Sequence, residues 1–99
     1  MILKMREVYR SQSLSSSPTQ RMRFVTRDVF INIEHIVFIR PNVEMARFLA
    51  EGLIDDIGPT DEGFCTISLS RGSSGVDITV VGSTDEINEK INRKGILHG

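Results

Sequence analysis

The sequence predicts an α+β domain: a bent antiparallel sheet of four to five strands, with an inserted helix and a C-terminal helix. Three observations carry that expectation. Residues 64–70 and 76–81 alternate apolar and polar positions with a period of two, and RGSSG between them supplies a hairpin loop. Ser83 and Glu86 have the S-x-x-E spacing of a capping box, ahead of a helical run that Gly95 closes. Residues 25–39, VTRDVFINIEHIVFI, are rich in β-branched and aromatic side chains interrupted by two turn signals.

Along the chain, residues 1–10 mix apolar residues with Lys4, Arg6, Glu7 and Arg10, and SQSLSSSPTQ at 11–20 is the low-complexity segment. Serine competes for backbone hydrogen bonds and Pro18 blocks regular pairing. Residues 1–20 are therefore expected to form a flexible basic and serine-rich arm, with 1–10 at most a loosely tethered strand. A single domain is expected over 21–95, and a short tail over 96–99.

Within that domain, residues 22–26 read as a strand, Arg27-Asp28 as a hairpin turn, and 29–32 as a second strand. Asn32 suits a corner, because its side chain can cap the turn made by Ile33, Glu34 and His35. Residues 36–39 form a continuous apolar run, which predicts a strand buried on both faces, and Arg40-Pro41 ends it. Asn42 is a candidate N-cap for a helix that places Met45, Phe48 and Leu49 on one face and stops at Gly52. Residues 58–63 read as an acidic loop. In the last helix Asp85 and Glu86 lie at the positive end of the dipole, and Lys90, Arg93 and Lys94 at the negative end.

Composition narrows the function. At 99 residues the chain suits one domain, and 39% hydrophobic with 25% charged residues is ordinary for a soluble fold. No apolar run approaches the roughly 18–20 residues of a membrane helix, so no membrane span is expected. The charged N-terminus lacks the apolar centre of a secretion signal. One cysteine makes no disulfide and no cysteine-based metal site, and a cytoplasmic home is expected. The net charge of −1 hides an asymmetry, +4 over residues 1–30 and −5 over the rest. Such a basic segment can meet nucleic acid through Arg6, Arg10, Arg21, Arg23 and Arg27, or can dock on an acidic protein face.

No residue pattern in the sequence specifies chemistry. His35 has no nucleophile and orienting acid paired with it by sequence, and His98 lies in the expected tail. Cys65 is placed in a strand core, where a thiol behaves as a small hydrophobe. Glu51, Asp55, Asp56, Asp61 and Glu62 lack the spacing of a calcium loop. RGSSG lacks the lysine and following helix of a phosphate loop. The expectation is a protein that is not an enzyme and needs no cofactor or metal.

VTRDVFIN and IEHIVFI, followed later by CTISL and ITVVGSTDEINEKI, resemble the small FlbD-type proteins encoded among flagellar genes. The resemblance covers residues 22–39 and 64–92. Residues 42–63 and the 21-residue front end depart from that pattern. It implies a small cytoplasmic binding or assembly protein, and no catalytic residues. The same strands are also similar to the first half of LytTR-type DNA-binding domains. In those domains sequence reading depends on a later basic segment, which the residues up to Gly99 do not contain, so DNA binding is not carried over.

The function expected from the residues is thus a non-catalytic protein-interaction or assembly module, either self-associating as a homo-oligomer or docking on another protein. Its expected interface is the apolar group Phe48, Leu49, Leu53 and Ile54. The alternative is a nucleic-acid accessory protein that binds through the arginines of the N-terminal arm.

Overall fold

The computed structural model of the chain describes residues 1–11, 23–55, 57, 63–71 and 74–95. The elements follow as β1 (Ile2–Arg10), β2 (Phe24–Asn32), a 3-10 turn (Ile33–His35), β3 (Ile36–Pro41), α1 (Val43–Ala50), β4 (Phe64–Arg71), β5 (Ser74–Val81) and α2 (Thr84–Gly95). The five strands form one sheet in the order β2-β1-β5-β4-β3, antiparallel throughout. The fold is α+β as expected, with the sheet dominant.

The N-terminal residues overturn an expectation. Residues 2–10 are not a flexible arm: β1 lies inside the sheet, paired with β2 from Ile2–Asn32 to Arg10–Phe24. On its other side it meets β5 at Glu7–Val80 and Val8–Thr79. The physical reason is alternation. Leu3 and Met5 are buried on one face, with exposed Lys4 and Arg6 alternating on the other, where Val8 further along is buried in the second core. Glu7 is buried too, and there Arg27 Nε donates to its Oε1 at 2.9 Å. The folded unit therefore starts at Ile2 rather than residue 21, while the serine-rich stretch 12–20 and the tail 96–99 lie outside the described residues.

The hairpin turn expected at Arg27-Asp28 is likewise absent, because β2 runs unbroken for nine residues. Both charges face opposite charges on β1: Arg27 pairs with Glu7, and Asp28 with Arg6 at 3.4 Å and Lys4 at 3.6 Å. Cross-strand pairs of this kind favour extended backbone over a turn. The strand at 36–39 is also corrected. Instead of being buried on both faces, β3 is an edge strand with Val37 60% exposed and Phe38 43% exposed.

Two cores lie on opposite faces of the sheet. On one, Leu3, Met5, Ile31, Cys65, Ile67 and Val80 meet Ile87 of α2. On the other, Val8, Phe24 and Phe64 meet Met45 and Phe48 of α1 together with Ile54, and the Phe24 and Phe48 rings stack at 5.2 Å. Neighbouring residues of one strand, Cys65 and Phe64 or Val80 and Val81, serve opposite cores. Helix α2 thus covers one face along its length, and α1 covers one end of the other.

The helix ends match their sequence signals. Asn42 Oδ1 accepts from Met45 N at 3.0 Å, capping α1. Its Nδ2 donates to Thr66 Oγ1 at 3.1 Å and Thr79 Oγ1 at 3.3 Å, and its backbone N–H donates to Phe64 O at 2.9 Å. One side chain therefore starts the helix and ties it to β4 and β5. At the other end Leu53 N donates to Phe48 O and Gly52 N to Leu49 O, with Gly52 at φ 74. That is a Schellman cap, and it turns the chain so that Ile54 bridges Phe24. Glu86 N donates to Ser83 Oγ at 3.1 Å, capping α2. Gly82, at φ +127, lies ahead of that cap, and a Cβ there would stand 3.1 Å from Ile87 Cδ1.

Two variants test these joints. Asn42→Ala removes the cap and both threonine contacts and is expected to cost about 1–2 kcal/mol, read as a Tm drop of about 4–16 °C. Gly82→Ala is expected to destabilise as well, because alanine strains at that φ and presses on the buried Ile87. Denaturant titration of both variants checks the pair; an unchanged midpoint in either rejects the role given to that residue.

Candidate interaction surfaces

The sequence-predicted interface is not a free surface. Phe48 and Ile54 are buried, and Leu49 and Leu53 are half-buried against the α1 core. The apolar residues after Gly52 find their partners inside the chain, on Val8, Phe24 and Phe64. This corrects the expectation of an open apolar interface at these four residues.

The arginines do not converge either. Arg6 Nε donates to Thr26 Oγ1 at 2.9 Å, and its guanidinium also meets Asp28. Arg23 forms a two-point contact with Asp55, whose second arm, Nε to Oδ2, is 3.2 Å. Arg27 bonds Glu7 and lies over the Tyr9 ring, 4.1 Å from its centre. Arg10 is exposed, and Arg21 lies outside the described residues. The register places Arg6 and Arg27 on opposite faces of the sheet. Three of the five therefore already have carboxylate partners, and among the described residues no single phosphate-binding face is assembled.

Hydrogen bonding and the nearby charge raise the Arg23 and Arg27 guanidinium values, through Asp55 and Glu7 respectively. The Arg23 contact lowers the Asp55 carboxyl below its ordinary range. Cys65 is fully buried, and desolvation with a contribution from Glu86 pushes its thiol up to about 11. At neutral pH it stays protonated, as a core residue rather than a nucleophile. His35 is exposed in the 3-10 turn. Of the acidic group, Glu51 is exposed and Asp55 is engaged by Arg23, whereas Asp56, Asp61 and Glu62 lie outside the described residues, as does His98. So do Gly72 and Ser73 of the RGSSG loop, while Ser74 and Gly75 already belong to β5.

What sequence reasoning missed is the exposed apolar surface at the two sheet edges. On β3 the ladder to β4 shifts between Ile36 and Phe38, so Val37 is an extra, bulged residue. The bulge turns Val37 outward. Together with Ile36, Phe38 and Ile39 it lines a groove of about 470 Å³ closed on its far side by Ile91, Asp85 and Asn88 of α2. A second groove of about 600 Å³ lies between Ile2, Leu3 and Lys4 of β1 with Phe30 of β2, and Lys90 and Arg93 of α2. Phe30 itself is 66% exposed on β2, the opposite edge. The sequence signal was present: phenylalanine recurs in strands short of proline and glycine, but periodicity alone does not tell an edge strand from a central one.

Among the described residues no helix is long and apolar enough to cross a membrane, and no group of three or more histidine, cysteine or carboxylate side chains is placed to hold a metal. No family model, curated protein or solved structure matches the chain.

The Arg23–Asp55 contact gives a pH dependence of known sign. Because the folded Asp55 carboxyl titrates lower than in the unfolded chain, its stabilisation is present above the ordinary carboxylate value of about 3.9. It is lost as the pH falls through the lowered folded value. Asp55→Asn is therefore expected to be less stable than wild type at pH 7 and to converge on it in acid. A gap between the two that persists unchanged to pH 2 rejects the ion pair as its source.

Proposed function

We propose that the protein is a non-catalytic interaction module that docks another polypeptide in the groove between β3 and α2. The observation that carries this reading is the bulged edge: Val37 is 60% exposed beside half-buried Ile36, Ile39 and Ile91. A small fold rarely leaves such apolar side chains grouped along one edge unless they are covered in use. The bulge interrupts the ladder, so the reading rests on side chains entering the groove more than on a sixth strand pairing with β3. The FlbD-type resemblance belongs to this reading, because it implies a small cytoplasmic assembly protein.

The nucleic-acid alternative has less support, since Arg6, Arg23 and Arg27 are engaged within the fold. Deleting the N-terminus does not separate the two readings, because it removes an interior strand.

A point substitution in the groove does separate them. Tagged wild-type chain and Val37→Asp are used to capture partners from host lysate, with and without nuclease. Because Val37 is exposed, its replacement is expected to change stability by about 0.5 kcal/mol or less, while the captured protein is lost. Capture that survives Val37→Asp rejects the groove. Capture that disappears with nuclease moves the assignment to the arginines.

A further inference from the structure

The edge formed by β2 is a different surface from the groove, and its backbone is unusually open to pairing. Ser11 N donates to Arg23 O and Ile33 N to Met1 O, at the two ends of the β1–β2 ladder. These bonds show that odd-numbered residues of β2 turn their backbone groups towards β1. Phe24 N donates outward to Leu53 O, and Phe24 O accepts from Asp55 N. By the same alternation Thr26, Asp28, Phe30 and Asn32 turn theirs outward. Among the described residues nothing pairs with that row beyond Phe24, except that the Asn32 carbonyl opens the 3-10 turn.

The usual guards of an edge strand are missing here. The bulge and the proline that protect β3 have no counterpart in β2. The charges in its middle do not guard it either, because Glu7 neutralises Arg27, and Lys4 and Arg6 neutralise Asp28. Phe30, on the outward row, is 66% exposed.

We infer that two copies of this chain pair antiparallel along β2, with Phe30 facing Phe30 of the second copy across a two-fold axis. The strand's own sequence selects that register. Centring the axis on Asp28 or on Arg27 sets like charges directly opposite, and centring it on Ile31 sets Asp28 against Glu34 of the second copy; each arrangement is unfavourable. Centring it on Val29 puts Asp28 against the exposed ring of Phe30. With Phe30 at the axis, Asp28 faces Asn32 and no like charges meet.

The same register continues the core. On the α2 face Met5 stands beside Val29, and Leu3 beside Ile31. Across the axis the row reads Met5, Val29, then Ile31 and Leu3 of the second copy. The cluster that holds α2 therefore runs from one molecule into the next. On the opposite face the two phenylalanines are flanked by the Lys4 stems. Three facing pairs of outward residues exchange about four backbone hydrogen bonds, since the two Asn32 carbonyls are held by their 3-10 turns, and the sheet becomes ten-stranded. A second copy fits because its β2 is equally unguarded and supplies the Val29-Phe30-Ile31 run in reverse at the axis, whereas the similar Val37-Phe38-Ile39 run of β3 is broken by its bulge.

Sedimentation of the whole chain from about 1 µM to 1 mM tests the pairing across the range where an interface of this small size is expected to dissociate. Wild type is expected to shift from monomer to dimer. Phe30→Lys is expected to weaken association by about thirtyfold or more, with thermal unfolding of the monomer unchanged. The register is read by single cysteines and a short bismaleimide, with buried Cys65 as the silent background. Phe30→Cys is expected to link to itself, whereas Asp28→Cys links only when mixed with Asn32→Cys. A chain monomeric at every concentration overturns the inference, as does a dimer indifferent to Phe30→Lys or one in which Asp28→Cys links to itself. If a monomeric chain captures another protein and loses it with Phe30→Lys, the edge belongs to that protein. Because Val37 lies on the opposite edge, its variant reads the groove without touching this result.

Discussion

Strand β1 is the constraint on which the rest of this structure depends. From nine residues it contributes to both cores, Leu3 and Met5 on the face under α2 and Val8 on the face under α1. It also supplies the partner charges that keep β2 extended, Glu7 for Arg27 and Lys4 with Arg6 for Asp28. Without it β2 would lose its only ladder among the described strands, and β5 would become an edge. Burying Leu3, Met5 and Val8 contributes roughly 1.5–3 kcal/mol each, which is a large share of the stability of so small a domain.

The parts of the fold that were legible in the sequence are those fixed by local chemistry. The alternation of β4 and β5, the Ser83 cap, Asn42 and Gly52 each depend on residues within a few positions of one another. The parts that were not legible depend on distant partners. Lys4, Arg6 and Glu7 look like a basic arm until the register sets them against residues about twenty positions later. Arg27-Asp28 looks like a turn for the same reason. The apolar run of β3 looks central, and only the strand order reveals that it has a single neighbour. The candidate site followed the same rule. Phe48, Leu49, Leu53 and Ile54 were visible as an apolar group, but what covers them comes from β1, β2 and β4.

Charge follows from that topology as well. The asymmetry between a positive front and a negative body reads as a binding arm when the chain is taken as a line. Folded, much of the positive front lies against carboxylates of its own sheet or, through Arg23, against Asp55 across the chain. What the surface offers instead is apolar, at Val37 and Phe38 on one edge and Phe30 on the other. The two edges are differently equipped, one bulged and grooved, the other straight. The two edges belong to strands at opposite ends of the sheet order and share no backbone.

The narrow junction between β1 and β5 has a temporal consequence. Among the described residues the ladder between the β2-β1 pair and the β5-β4-β3 sheet consists of Glu7–Val80 and Val8–Thr79, and these residues are separated by most of the chain. Loop closure over such a distance is entropically slow, so contacts of this kind form late. As the chain leaves the ribosome, β1 and β2 can zip together while the strand that will complete β1 is still unsynthesised. Until β5 is made, β1 has β2 as its neighbour on one side and none on the other, so the seam to β5 can close only after most of the chain has been synthesised.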